Sequence, residues 1–178
     1  MTTYVAMLRA VNVGGRKLKM EDLRALFVGL GHSEVRTYVQ SGNVVFTSSV
    51  RSPARLARAV EDRIERDLDL DVTVLVRTGR ELADVVRSNP FVKAVTDLAT
   101  LHVTFLSGTP AAARLSDIEP AAWAPDEFRV AGREVYLHCP GGYGRTKLNN
   151  AFWERRLDLA GTTRKWRTVT TLCEMAGG

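Results

Sequence analysis

Thr3 to Val11 is apolar on both faces except at Arg9, a pattern that predicts a buried strand. Asn12-Val13-Gly14-Gly15 ends the run, because paired glycines accept the positive φ of a sharp turn. Met20, Leu23, Leu26, Phe27 and Leu30 then recur at helical spacing, with Gly31 as a C-cap. Val35 to Val39 and Val44 to Phe46 read as short strands, joined by Gln40-Ser41-Gly42-Asn43, which has the composition of a hairpin turn. Ser52-Pro53 supplies an N-cap and an N1 proline for a helix striped by Leu56, Val60, Ile64 and Leu68, and Val72 to Val76 follows as a strand.

The resulting order, βαββαβ, is the split arrangement of a ferredoxin-like subdomain, with the first and third strands at the centre of the sheet. Thr78-Gly79-Arg80-Glu81 is a capping box that opens a helix through Leu82, Val85 and Val86, and Asn89-Pro90 stops it. Further on, Leu101 to Leu106 reads as a strand and Thr109-Pro110 starts a short helix. Phe128 to Ala131 pairs with Glu134 to His138 across Gly132-Arg133, and the whole reads as a partial second copy of the first pattern. A glycine-rich loop at 141–144, a helix near 146–158 carrying Leu148 and Phe152, and a last helix with Val169, Leu172, Cys173 and Ala176 inward complete the chain. The fold class is therefore α+β. A ferredoxin-like subdomain is expected over residues 1–78, a connecting helix and linker over 79–99, and a second α+β subdomain with C-terminal helices over 100–178.

Composition narrows the class. A chain of 178 residues that is 45% hydrophobic and 25% charged suits a globular fold rather than a disordered one. Tyr4 to Leu8 is cut by Arg9 and is too short for a secretory signal, and no later run has the length of a membrane span, so a soluble cytoplasmic protein with no membrane partner is expected. Cys139 and Cys173 stand far apart without a CxxC pair, which argues against a disulfide framework or a zinc knuckle. The formal net charge of +5 is unevenly spread. Residues 1–20 hold four bases and no acid, and residues 141–178 hold seven bases and three acids, while the stretch between is net acidic. An anion site is accordingly expected at the two ends of the chain.

Catalytic and cofactor signatures are missing. Residues 139–147 resemble a phosphate-binding loop in composition, yet lack its Gly-Lys-Ser/Thr close. Asp67, Asp69 and Asp71 alternate like calcium ligands, but the loop has Val72 where such a site needs glycine and Thr78 where it needs glutamate. There is no GxSxG elbow, no HExxH, and no dinucleotide fingerprint after the first strand. No catalytic residue, metal site or cofactor is assigned, and whether the chain is an enzyme stays open.

Three segments combine turn-forming and anion-binding residues. Arg9, Asn12, Gly14, Gly15 and Lys17 put a cation at a strand end, then glycines whose amides can form an anion nest, then further cations. Gln40, Ser41 and Asn43 offer amide and hydroxyl donors at the hairpin, where simple turn chemistry is the alternative. Arg145 and Lys147 follow the glycine loop before a helix start, and Arg164, Lys165 and Trp166 place an indole among cations. Trp166 fits either a stacking platform or a core anchor. These segments are expected to meet on one anion-binding surface.

Arg9 with Asn12-Val13-Gly14-Gly15, the stretch Tyr38 to Phe46, Asn89-Pro90-Phe91, Gly144 to Leu148, and Thr162 to Trp166 with Thr168-Val169 together resemble the bacterial domain of unknown function 1697 family. The resemblance runs over nearly the whole chain and implies an α+β fold with a ferredoxin-like part. It carries no activity to transfer, and Asn149 stands where a threonine is expected. The leading functional reading is a binding module for a phosphate-bearing partner, either a nucleic acid or a phosphorylated small molecule. The alternatives are an enzyme acting on a small anionic substrate in the inter-subdomain cleft, with His138 the nearest candidate base, and a structural or protein-interaction domain.

Overall fold

The computed structural model describes residues 1–11 and 17–178. Strand β1 (Thr2–Leu8) is buried from Tyr4 onward because it lies inside an antiparallel sheet with β2 (Ser33–Tyr38), β3 (Asn43–Ser48) and β4 (Val74–Thr78), in the order β2-β3-β1-β4. Val5 sits opposite Val45 on β3 and Arg77 on β4. The period of two along each strand sends Tyr4, Ala6, Leu8, Val44, Phe46, Val74 and Val76 to one face. There they pack with Leu23, Leu26 and Phe27 of α1 (Met20–Gly29) and Leu56, Val60 and Ile64 of α2 (Pro53–Leu68). Phe27 meets Phe46 edge-on at 5.0 Å between ring centres, and Tyr4 stacks on Phe46 at 5.7 Å. Helix α2 begins as its sequence dictates: Ser52 Oγ accepts the Arg55 amide hydrogen at 3.3 Å, with Pro53 in the first turn. This is the ferredoxin-like strand order, with β1 and β3 central.

Helix α3 (Gly79–Arg87) opens on the reciprocal box that the sequence contains. The Thr78 amide donates to Glu81 Oε2 at 2.8 Å, and the Glu81 amide donates to Thr78 Oγ1 at 3.0 Å. After it, β5 (Leu101–Leu106), α4 (Ala112–Ser116), β6 (Glu127–Ala131), β7 (Glu134–His138), α5 (Asn150–Leu157) and β8 (Gly161–Lys165) repeat the first pattern, and α6 (Trp166–Met175) follows. The second sheet has the order β6-β7-β5-β8, the same as the first. The second copy is therefore complete in its strands and abbreviated only at α4, five residues long. Leu106, Val135, Leu137, Leu148, Phe152, Trp153 and Leu157 form its core under α5. Trp153 is fully buried there, its Nε1–H donating to the Leu148 carbonyl at 3.0 Å and its ring meeting Phe128 and Phe152 edge-on.

Two compact units divide the chain: residues 1–84 with 171–178, and residues 85–170. Helices α3 and α6 each contribute residues to both. Among the described residues no helix is long and apolar enough to cross a membrane, and no group of His, Cys, Asp and Glu is placed to hold a metal ion.

Candidate functional site: a cation-flanked pocket at the β8–α6 junction

β8 runs straight into α6, with Lys165 the last strand residue and Trp166 the first of the helix. Trp166, Val169, Leu172 and Cys173 recur at helical spacing and are buried, which leaves Lys165 and Arg167 exposed on either side of the indole. With Trp166 and Thr170 they line an open pocket of about 440 Å³, whose other wall is Leu98 and Ala99. Leu98 and Ala99 belong to the 3-10 turn Leu98–Thr100 that leads into β5, and the pairing of β5 with β8, His102 opposite Lys165, brings the two walls together. Leu98 is 46% exposed, an unusual setting for a large apolar side chain. Among the described residues neither Lys165 nor Arg167 has an ion-pair partner. The start of α6, a helix of 10 residues, adds the positive end of its dipole to that field.

Next to this pair of strands lies the glycine loop. Tyr143 stacks on the His102 ring at 4.6 Å between centres. His102 is buried, its Nδ1 has no hydrogen-bond partner, and burial holds its pKa below the usual imidazole value; the Thr100 carbonyl opposes that shift and the Lys165 cation adds to it. Tyr143 Oη also accepts the Asn150 amide hydrogen at 2.9 Å, and Asn149 Oδ1 accepts that of Phe152 at 2.9 Å. The helix expected near 146–158 thus starts at Asn150, with Asn149 as its N-cap, and these two bonds occupy amides that the expected anion would have used. Arg145 and Lys147 are exposed on the loop, while Thr146 between them is buried and donates to Asp126 Oδ2 at 2.6 Å. Neither residue has an ion-pair partner among the described residues.

Arg164 points to the opposite face of β8 from Lys165. It is buried, 7% exposed, and donates to Thr162 Oγ1 and to the Thr163 carbonyl, so it is not a surface cation. Burial pushes its guanidinium down to about 10. Trp166, 5% exposed, forms a wall of the pocket and a core anchor rather than an open stacking platform. A polar lattice ties β8 to α5 and β5: Asn150 Nδ2 donates to Glu154 Oε1 and the Gly161 carbonyl, Thr163 Oγ1 donates to Asn150 Oδ1, and Thr104 and Thr163 share a hydroxyl bond of 2.8 Å. His138 Nδ1 lies 3.0 Å from Glu127 Oε1, its cross-strand neighbour.

The remaining predicted site residues lie in the first unit. The Gln40 to Asn43 turn sits against the end of β1, where the Leu8 amide donates to the Gly42 carbonyl at 2.8 Å and Arg9 follows, half-buried. Asn43 is fully buried, and its Nδ2 donates to the Tyr38 carbonyl at 3.0 Å and to Ser41 Oγ at 2.8 Å, a turn-holding role in place of the surface donor expected. Gln40 and Lys17 are exposed. Asn12, Gly14 and Gly15 lie outside the described residues. Of the residues that line this pocket, the sequence singles out Lys165 and Trp166, while Leu98, Ala99, Arg167 and Thr170 are not among the expected site residues. No local signal marks Leu98 or Ala99, since their wall meets the other only through strand pairing; Thr170 lies one turn after Trp166 on α6.

Two ferredoxin-like repeats, the second bearing a cation-flanked pocket, define the class as an α+β protein of duplicated architecture. The chain belongs to the family described as Protein of unknown function (DUF1697), which matches residues 1–136. In fold it is similar to the conserved bacterial protein SP0830 from Streptococcus pneumoniae, with a TM-score of 0.77, 22% identity, and 98% of each chain covered. Comparison with curated proteins gave no match.

Proposed function

We propose that this protein binds a phosphate-bearing partner, with Lys165 and Arg167 at the β8–α6 pocket as the primary contacts and Arg145 and Lys147 as outer cations. The observation that carries the reading is the presence of two exposed cations, without ion-pair partners among the described residues, on the rim of one pocket. An unneutralised pair of this kind raises the local concentration of anions and gives a phosphate two charge-assisted donors. Each such bond contributes about 1.5–3 kcal/mol, so losing one costs about ten-fold in affinity and losing both about a hundred-fold or more. The Gly141 to Gly144 loop supports the same side of the sheet through the Tyr143–His102 stack.

The test is calorimetric titration of the full chain with inorganic phosphate, adenosine monophosphate and a short single-stranded oligonucleotide, repeated for Lys165→Glu/Arg167→Glu. Binding of at least one of these that drops ten-fold or more in the folded double variant is the expected result. Binding that survives the charge reversal places the anion elsewhere and rejects the site.

A further inference from the structure

We propose that the pocket between the Leu98–Thr100 turn and the start of α6 selects an amphiphilic anion: a single phosphate or carboxylate head joined to an apolar or planar body. This rests on the reading of Lys165 and Arg167 as the anion contacts and adds to it what lies on the other side of the pocket.

The lining divides by chemistry. Lys165 and Arg167 supply all of its charge. The Thr170 hydroxyl already donates to the Arg167 carbonyl at 3.0 Å, so it is not an extra donor for the ligand. The remaining wall is Leu98, Ala99 and the indole of Trp166, with Leu98 left 46% exposed. Apolar surface held open beside two cations gains most when it is covered by an apolar group fixed to the anion they hold. Inorganic phosphate would leave that wall wet. A long polyanion meets a further obstacle, because Asp97 immediately precedes Leu98 and its exposed carboxylate, which caps the turn through the Ala99 amide at 3.0 Å, lies beside the apolar wall. A pocket of about 440 Å³ falls in the range of small-molecule sites rather than of an extended groove.

Phenyl phosphate is the probe, compared with inorganic phosphate, phenol, benzoate and a short oligothymidylate by calorimetry on the full chain. Phenyl phosphate is expected to bind at least ten-fold more tightly than either inorganic phosphate or phenol, with benzoate also binding and thereby showing that the head can be a carboxylate. Leu98→Ser, at an exposed position that leaves the fold intact by circular dichroism, narrows the ratio of phenyl phosphate to inorganic phosphate affinity. Equal affinities for phenyl phosphate and inorganic phosphate, both lost in Lys165→Ala/Arg167→Ala, overturn the amphiphilic ligand while the anion site stands. Oligothymidylate binding more tightly than phenyl phosphate, with a steep salt dependence, overturns it in favour of a polyanion. No binding of any probe to the folded chain overturns both readings.

Discussion

Replacing Gly42 by alanine separates the two roles that Gln40 to Asn43 can play, because a turn packed into the fold and a turn held open for a ligand respond oppositely. Gly42 has φ +77°, and a Cβ built on it lies 2.9 Å from Leu8 Cβ and 3.4 Å from Val11 Cβ. The left-handed conformation costs an L-residue about 1–2 kcal/mol. The Leu8 overlap falls well inside the carbon–carbon contact distance of about 3.5–4.0 Å and must be relieved by moving β1, at a further cost of about 1–3 kcal/mol. Gly42→Ala is thus expected to destabilise by roughly 2–5 kcal/mol, read as a urea midpoint shift, or a Tm lowered by roughly 4–20 °C for a chain of this size. Gly144→Ala is the matched control: nothing lies within 4 Å of its built Cβ and its φ is not positive, so its stability should stay within about 0.5 kcal/mol of the parent. Equal effects of the two substitutions, or a Gly42→Ala change below about 1 kcal/mol, would refute the packed-turn reasoning.

Trp153→Ala removes a fully buried indole, its hydrogen bond to Leu148 and two edge-on ring contacts, and should cost about 3–5 kcal/mol in chemical denaturation; a loss under about 1 kcal/mol contradicts the described core. Asn149→Ala deletes the N-cap of α5 and should cost about 1 kcal/mol, with Asn149→Asp nearly neutral, measured in the same assay. Burial lowers the pKa of both His32 and His102, so the unfolded chain binds protons first as pH falls through about 6.5, and stability should fall over the window below that value until the folded pKa is reached. His32→Gln/His102→Gln should flatten that acid limb; an unchanged slope argues against buried neutral imidazoles. Burial pushes the Cys139 thiol up to about 11, so the folded protein should resist alkylation there at pH 8, and the corresponding stability should be lost between about pH 9 and 11, as the unfolded thiol ionises first.

Apolar periodicity and capping residues mark the first repeat, because its elements carry their own signals: the Leu23, Leu26, Phe27 spacing, the Leu56, Val60, Ile64 stripe, the Ser52-Pro53 start. The second repeat was harder to read. β8, Gly-Thr-Thr-Arg-Lys, contains no large apolar residue, and its strand state comes from pairing with β5, where Thr162 and Arg164 are buried by tertiary structure rather than by their own hydrophobicity. The helix of five residues at α4 left little periodicity to detect. At the site, residue type led to Lys165 and Trp166, but the same reasoning put Asn43 and Arg164 on the surface, because polarity alone does not distinguish a solvated group from a buried one whose hydrogen bonds are satisfied. Leu98 and Ala99 reach the pocket only through strand pairing across more than half of the second unit, which no local pattern encodes.

The most direct test of the anion-binding claim is amide chemical-shift mapping of the nitrogen-15-labelled chain during titration with adenosine monophosphate. Saturable shifts concentrated at Leu98, Ala99 and Lys165 to Thr170, and abolished by Lys165→Glu/Arg167→Glu, are the predicted result. Saturable shifts centred on Gln40 to Asn43 instead, with the β8–α6 junction unmoved, would contradict it.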